Sequence, residues 1–447
     1  MKMKINIFFA ALLMMSCSAA KRQGKNITPD ALVTYFSSTL EADSLHNPDV
    51  AFYKQEISTG ELAGYRNKLW EDWKKANAGR LSTWPKVAEN NTKDSLIWQL
   101  PDNRKMLFSL FTKGARPANG YPLFINLHGG GCYPNEPGPW TSRSNSREWQ
   151  AAKTLGTRYD DAPSLYFVPR MPDDRRGRWY HRSPMAAYIR AWQLGVLSGD
   201  VDPNRAYILG ISEGGYGSFR MGIFLADYFA AAGPMAGSIW PEQEHIENLR
   251  NTAFCIQMGE SDFAYDRVEN AKRWKVMLDS AAAASPGQFN HIVEIQAGKG
   301  HGIDYMRAAP WIKQFTRKNY PDTLSWMYYA QCDTIYNAEP AQPCTYRKGF
   351  GYVRLDGLSQ SGERDFYVEK HGNVYTIRSA NRKGIVKGEI RLYADNVDFA
   401  QPVKVNYNGK EVFNGKLKLN VGTMAESLAL FGDPLRIFPA AVTVKVE

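Results

Sequence analysis

The chain has 447 residues, more than one compact domain accommodates, so two or three domains are expected. Hydrophobic residues make up 44% and charged residues 22%, a globular balance that excludes wholesale disorder. The formal net charge of +10 is spread along the chain without a block of five like charges, and no nucleic-acid motif accompanies it, so no nucleic-acid partner is expected.

In chain order, Met1 to Lys4 form a basic start and residues 5–15 a short apolar stretch. That stretch is too short to span a bilayer as a helix, which takes roughly 20 residues. The pattern is that of a secretory signal, residues 1–17. It runs into Leu13-Met14-Met15-Ser16-Cys17, which is similar to a bacterial lipoprotein processing site. Such a site implies lipidation of Cys17 and a membrane anchor through it. Met14 departs from the leucine usual there, and soluble export with cleavage near Ala19 or Ala20 is the alternative. No acidic run follows in Ser18-Ala19-Ala20-Lys21-Arg22, which favours the periplasmic side over the cell surface.

Residues 18–93 read as a linker and a helical arm. Leu62, Tyr65, Leu69, Trp70 and Trp73 fall at helical spacing. From residue 94 to about 330 apolar strands alternate with helices, opening with an antiparallel hairpin over 96–100 and 106–111. Strands are expected at 121–127, 164–168, 206–209, 229–232, 253–257 and 292–295. Helices are expected at 184–198, 216–229, 267–284 and 303–318. This alternation implies a mostly parallel sheet covered by helices on both faces, with ligands outside the carboxyl ends of the strands. Residues 346–447 change to short alternating strands, including a hairpin signal at Asn408-Gly409, and read as a separate antiparallel β sandwich without helices. Of the five cysteines, Cys332 and Cys344 bracket a short polar segment and are the expected disulfide, while Cys132 and Cys255 are expected as packing thiols. No Cys/His cluster has zinc spacing, so no metal is expected.

The chemistry gathers where strands end. Gly210-Ile211-Ser212-Glu213-Gly214 follows an apolar strand and opens a helix, the context in which a serine is exposed as a nucleophile. A serine needs a base, and the base needs an orienting acid. Of seven histidines, His301 lies in Gly298-Lys299-Gly300-His301-Gly302, just after the last strand of the sheet. The acid candidate is Asp262 in Met258-Gly259-Glu260-Ser261-Asp262, with Glu260, Asp266 and Asp304 as competitors. The third piece is His128-Gly129-Gly130-Gly131 after the strand 121–127. Its glycines let backbone N–H groups reach a substrate oxygen. Gly130, Gly131 and Glu213 are the expected oxyanion donors, each worth about 3–4 kcal/mol. His128 is expected to fix the loop.

These four motifs in this order resemble the α/β-hydrolase superfamily over roughly residues 95–320. The segments around Ser212 and His301 resemble secreted bacterial serine esterases and their prolyl-oligopeptidase-like relatives. The resemblance implies a Ser212–His301–Asp262 triad, an acyl-enzyme and no cofactor. Glu213 stands where those peptidases often carry an aromatic residue, and the short arm leaves no room for their N-terminal propeller; both departures favour an esterase. Arg178 and Trp179, in the segment 172–182, are candidate substrate-binding residues for an anionic or carbohydrate-linked ester; an exposed loop with its arginines paired to Asp173 and Asp174 is the alternative. The expected function is an exported serine hydrolase acting on a small-molecule or glycan-linked carboxylic ester. A serine peptidase and a non-catalytic glycan-binding lipoprotein are the alternatives.

Overall fold

The computed structural model of the protein describes residues 30–40, 45–100, 103–331, 344–357 and 362–446. The signal, Cys17 and Cys332 lie outside the described residues. Among those described, no helix is long and apolar enough to cross a membrane.

An eight-stranded sheet organises the first part of the chain: β1 Thr92–Gln99, β2 Lys105–Lys113, β3 Tyr121–Leu127, β4 Ser164–Pro169, β5 Val201–Ile211, β6 Ala231–Met235, β7 Ala253–Gly259 and β8 His291–Gln296. The spatial order is β1-β2-β4-β3-β5-β6-β7-β8. β1 and β2 form the expected antiparallel hairpin, β2 joins β4 antiparallel, and every pair from β4 to β8 is parallel. All seven residues of β3 are buried because both sheet faces are covered. Leu123, Ile125 and Leu127 enter one core, and Phe124 enters the other. The two-residue period of a strand thus feeds two helical layers.

Helices α1 Ala31–Ser37, α2 Val50–Lys54, α3 Leu62–Ala76 and α4 Ala78–Leu81 form the arm. Helices α5 Arg143–Arg158, α6 Arg182–Leu197, α7 Glu213–Phe224, α8 Arg267–Ala284 and α9 Ala308–Ile312 flank the sheet, and α10 Val421–Phe431 lies far along the chain. Ala152 of α5 with Ala308, Ala309 and Ile312 of α9 covers one face; α6, α7 and α8 cover the other. The arm buries Leu32, Phe36, Leu69 and Trp73 in that second layer and packs on α6 and α10. The helix expected over 303–318 is real only as α9. Arg205 and Tyr207 donate to the Lys313 carbonyl, and Tyr207 also donates to the Phe315 carbonyl, so tertiary partners take the acceptors a longer helix would use.

The C-terminal part is two β-sheets over a shared apolar core that includes Trp326, Phe350, Tyr375 and Leu392. One has the order Lys410–Gly415, Val403–Tyr407, Val374–Lys383, Glu363–His371, Thr323–Tyr328; the other Gly349–Phe350, Val353–Asp356, Gly388–Ala394, Ala440–Val446. Pairing is antiparallel except between Val374–Lys383 and Val403–Tyr407. Asn408 (φ 47°) and Gly409 (φ 83°) make the hairpin turn. Helix α10 was not expected here. Asn420 caps it through Thr423 N–H, and Gly432 closes it in a left-handed conformation (φ 60°). Cys344 is disulfide-bonded, and Cys255 is a buried thiol.

Candidate active site

Ser212 sits at the tip of the turn from β5 into α7, with φ 56° and ψ −113°. A non-glycine residue held at positive φ is disfavoured, so the surroundings must enforce it. They do so through close backbone contact. A Cβ at Gly210 would lie 2.3 Å from the Gly214 carbonyl oxygen, and one at Gly214 would lie 2.1 Å from the Leu127 carbonyl oxygen. The Ser212 N–H is also tied to the Met235 carbonyl (2.9 Å).

The turn after β8 brings His301 across the sheet edge to this serine. Ser212 Oγ donates to His301 Nε2 at 2.9 Å, and His301 Nδ1 donates to Asp262 Oδ2 at 2.7 Å. The Ser261 N–H to Lys299 carbonyl bond (2.8 Å) holds the two loops together. Asp262 is 3% exposed, whereas the His301 side chain is 45% exposed, so the imidazole is reachable and the carboxylate is not. Two of the three competing carboxylates have other partners. Glu260 accepts from the Gly298 N–H (2.8 Å), Asp304 caps the Met306 N–H (3.0 Å), and Asp266 precedes α8 in a left-handed conformation.

One neighbour was not anticipated from the chain. Arg267, 8% exposed, donates from Nη1 to Asp262 Oδ1 (3.0 Å) and from Nε to the Tyr216 hydroxyl (2.7 Å). Its guanidinium lies over the Tyr216 and Tyr265 rings. One carboxylate oxygen of Asp262 therefore faces arginine and the other faces histidine, which leaves the carboxylate little freedom to rotate.

The loop after β3 supplies the opposite wall. His128 is buried; its Nδ1 donates to the Gly129 carbonyl (2.6 Å) and its Nε2 accepts from the Met171 N–H (3.0 Å). Burial, aided by nearby Arg170, pushes its pKa down to about 3, so the ring is neutral and fixes the loop. A Cβ at Gly129 would meet Glu148 Oε2 at 2.9 Å and Ser212 Cβ at 3.5 Å, which places this loop against Ser212. Gly130 has φ 101° and touches Asn145. Gly131 departs from its expected role: its N–H donates to Asn145 Oδ1 (3.0 Å) and is therefore engaged. Asn145 in turn donates to Asp174 (2.7 Å), which Arg170 grips with two bonds of 2.6 and 2.8 Å. This buried Arg170–Asp174–Asn145 chain holds the loop. It escaped the sequence reading because Asn145 and the Arg170–Asp174 pair lie in separate segments, 29 residues apart, and only the fold brings them together.

The two candidate substrate residues also differ from expectation. Trp179 is fully buried; its indole N–H donates to the His128 carbonyl (2.9 Å) and its ring meets His128 edge-on. It supports the loop from beneath and presents no face to a ligand. Arg178 donates from Nη1 to Glu213 Oε2 (2.5 Å), with side-chain exposures of 14% and 5%. Burial raises the Glu213 pKa, and Arg178 opposes that rise. The remaining arginines of the segment include Arg175, which pairs with Asp173 (2.9 Å). Asp173 is thus paired within the segment, while Arg178 and Asp174 pair outside it, with Glu213 and Arg170.

No known protein family and no curated protein matches the chain. Solved structures similar to about half of it are esterases and α/β hydrolases. They include a thermostable esterase (21% identity, 49% of this chain and 62% of that one, TM-score 0.35) and a ferulic acid esterase (16% identity, 50% and 97%, TM-score 0.35). An S-formylglutathione hydrolase from Staphylococcus aureus is similar at 13% identity, over 50% and 97%, with a TM-score of 0.34.

Proposed function

We propose that the chain is an exported serine hydrolase that cleaves a carboxylic ester through an acyl-enzyme. The observation that carries this is the continuous line from Ser212 Oγ through His301 to Asp262, at 2.9 and 2.7 Å. Ser212 attacks the ester carbonyl while His301 Nε2 takes its proton. The same proton passes to the leaving alkoxide as the C–O bond breaks. Water then attacks the acyl-serine, again giving a proton to His301, and the acid leaves as Ser212 recovers its hydrogen. Asp262 holds the Nδ1–H tautomer that makes Nε2 basic. The Glu213 N–H, at the positive end of α7, and the Gly130 N–H are the proposed oxyanion donors. The candidate substrate is a glycan-linked or small-molecule ester. Export rests on the basic start and short apolar stretch, and a lipid anchor at Cys17 facing the periplasm rests on the residues before it.

The test is p-nitrophenyl acetate beside an aminoacyl p-nitroanilide, with a fluorophosphonate probe for Ser212. Expected are labelling of Ser212, preference for the ester and a fall of about 10⁶-fold in kcat for Ser212→Ala. Preference for the anilide points to the peptidase instead. Folded protein that takes up no probe and leaves both compounds intact overturns the reading.

A further inference from the structure

The junction between the hydrolase part and the β sandwich buries five charged side chains around Tyr228. Asp227, in the short turn Ala226–Tyr228 that follows α7, pairs with Arg347 and accepts from Arg436 Nη1 (2.6 Å). Asp433 Oδ2 accepts from Arg317 Nη1 and Arg436 Nε, each at 2.7 Å. Burial opposes ionisation of Asp227, but Arg347 and Arg436 outweigh it and hold its carboxyl down to about 2. Burial likewise opposes ionisation of Asp433, and Arg317 and Arg436 outweigh it. Both carboxylates are therefore charged. Burial pushes the Tyr228 phenol up, so it adds no negative charge. Three guanidinium groups thus face two carboxylates, and the cluster holds one positive charge in excess. An unbalanced buried charge is costly.

The excess has a location. Arg317 is 6% exposed and lies against the Trp192 ring. Among the described residues its Nε and Nη2 have no hydrogen-bond partner. Arg317, Arg436, Lys318 and Asn319, together with the Asp227 carboxylate that Arg436 already pairs, line a cavity of about 20 Å³, enough for one small ion or water. Among the described residues Asn319 Oδ1 is also buried without a partner, and exchanging the amide O and N makes that buried atom an N–H donor.

We propose that this cavity binds one monovalent inorganic anion of chloride's size, held by Arg317 Nε and Nη2 and by the Asn319 amide. The ion balances the cluster and fastens the β sandwich to the end of the helix that begins at Ser212. The site is independent of the hydrolase reading.

Thermal unfolding of the full chain in sodium chloride and in sodium gluconate, at equal ionic strength, tests it, because gluconate is too large for the cavity. Chloride should raise Tm saturably by about 2 °C or more, and Arg317→Gln should abolish the difference. Crystals soaked in sodium bromide should show an anomalous peak beside Arg317, a measurement that stands even if the variant does not fold. Equal Tm in both salts with no bromide peak means water alone fills the cavity and overturns the proposal. A peak without any chloride-dependent stability means an adventitious ion only, and also overturns it. So does an undiminished chloride effect in Arg317→Gln, which puts the ion elsewhere.

Discussion

Helix α7 has a charge network at each end, and the two are built differently. At its N-terminus Glu213 meets Arg178, and Asp262 is shared between Arg267 and His301, whose ring is 45% exposed. At its C-terminus Asp227 and Asp433 are divided among three arginines, and Arg347 also donates to the Phe224 carbonyl (3.2 Å). Both ends respect the helix dipole, with an acid at the start and a cation at the finish. The difference lies in access. A base that exchanges protons with substrate and water, the role proposed for His301, needs one open side, whereas charges that only join two parts of the chain can be enclosed. Charge is thus buried at both ends, and the exposed His301 ring is what sets the N-terminal network apart.

Removing one partner from a buried pair at each end is the sharpest way to test that contrast. Arg178→Ala and Asp227→Asn should each cost about 3–5 kcal/mol in urea unfolding, because each leaves an uncompensated buried charge. Only Arg178→Ala should also lower kcat, and for neutral and acidic esters alike. A rise in KM confined to acidic esters would instead return Arg178 to the substrate. Arg267→Gln comes next in size. Losing a charge-assisted bond to Asp262, worth about 1.5–3 kcal/mol, should lower kcat roughly 10–100-fold with KM held, and Arg267→Lys should recover part of it. Equal losses in Gln and Lys variants would reduce Arg267 to a packing residue.

The smallest effect concerns pH. The unfolded His128 takes a proton near 6.5, but the folded one only at about 3. The unfolded state therefore binds more protons in this window, and stability falls as pH drops below about 6.5, by less than about 1 kcal/mol at pH 6. His128→Gln should flatten that part of the Tm–pH curve. An unchanged slope would assign it to other groups.

Much of the α/β part was legible in the chain because its signals are local. Continuous apolar runs mark the doubly covered strands, and α8 matches its expected span of 267–284. Glycines flank Ser212 because a side chain at Gly210 or Gly214 would strike backbone within 2.3 Å. Helix α10 is enclosed on every side, its polar Thr423, Glu426 and Ser427 as well as its apolar Val421, Met424 and Leu428, so no solvent-facing stripe marks it among the strands. The roles of Trp179, Gly131 and Arg178 could not be read either. A tryptophan among arginines looks the same in sequence whether it faces a ligand or the underside of a loop.

What the sequence determined by itself is the layered α/β plan and the placing of Ser212, Asp262 and His301 after strand ends. Both follow from patterns a few residues long. What only the tertiary structure decided is which groups meet. Asp262 faces His301 and Arg267, Gly131 gives its N–H to Asn145, and three arginines converge on two aspartates beyond α7. Those meetings join positions up to 209 residues apart. Only packing brings such positions within the 3 Å that a hydrogen bond requires, roughly.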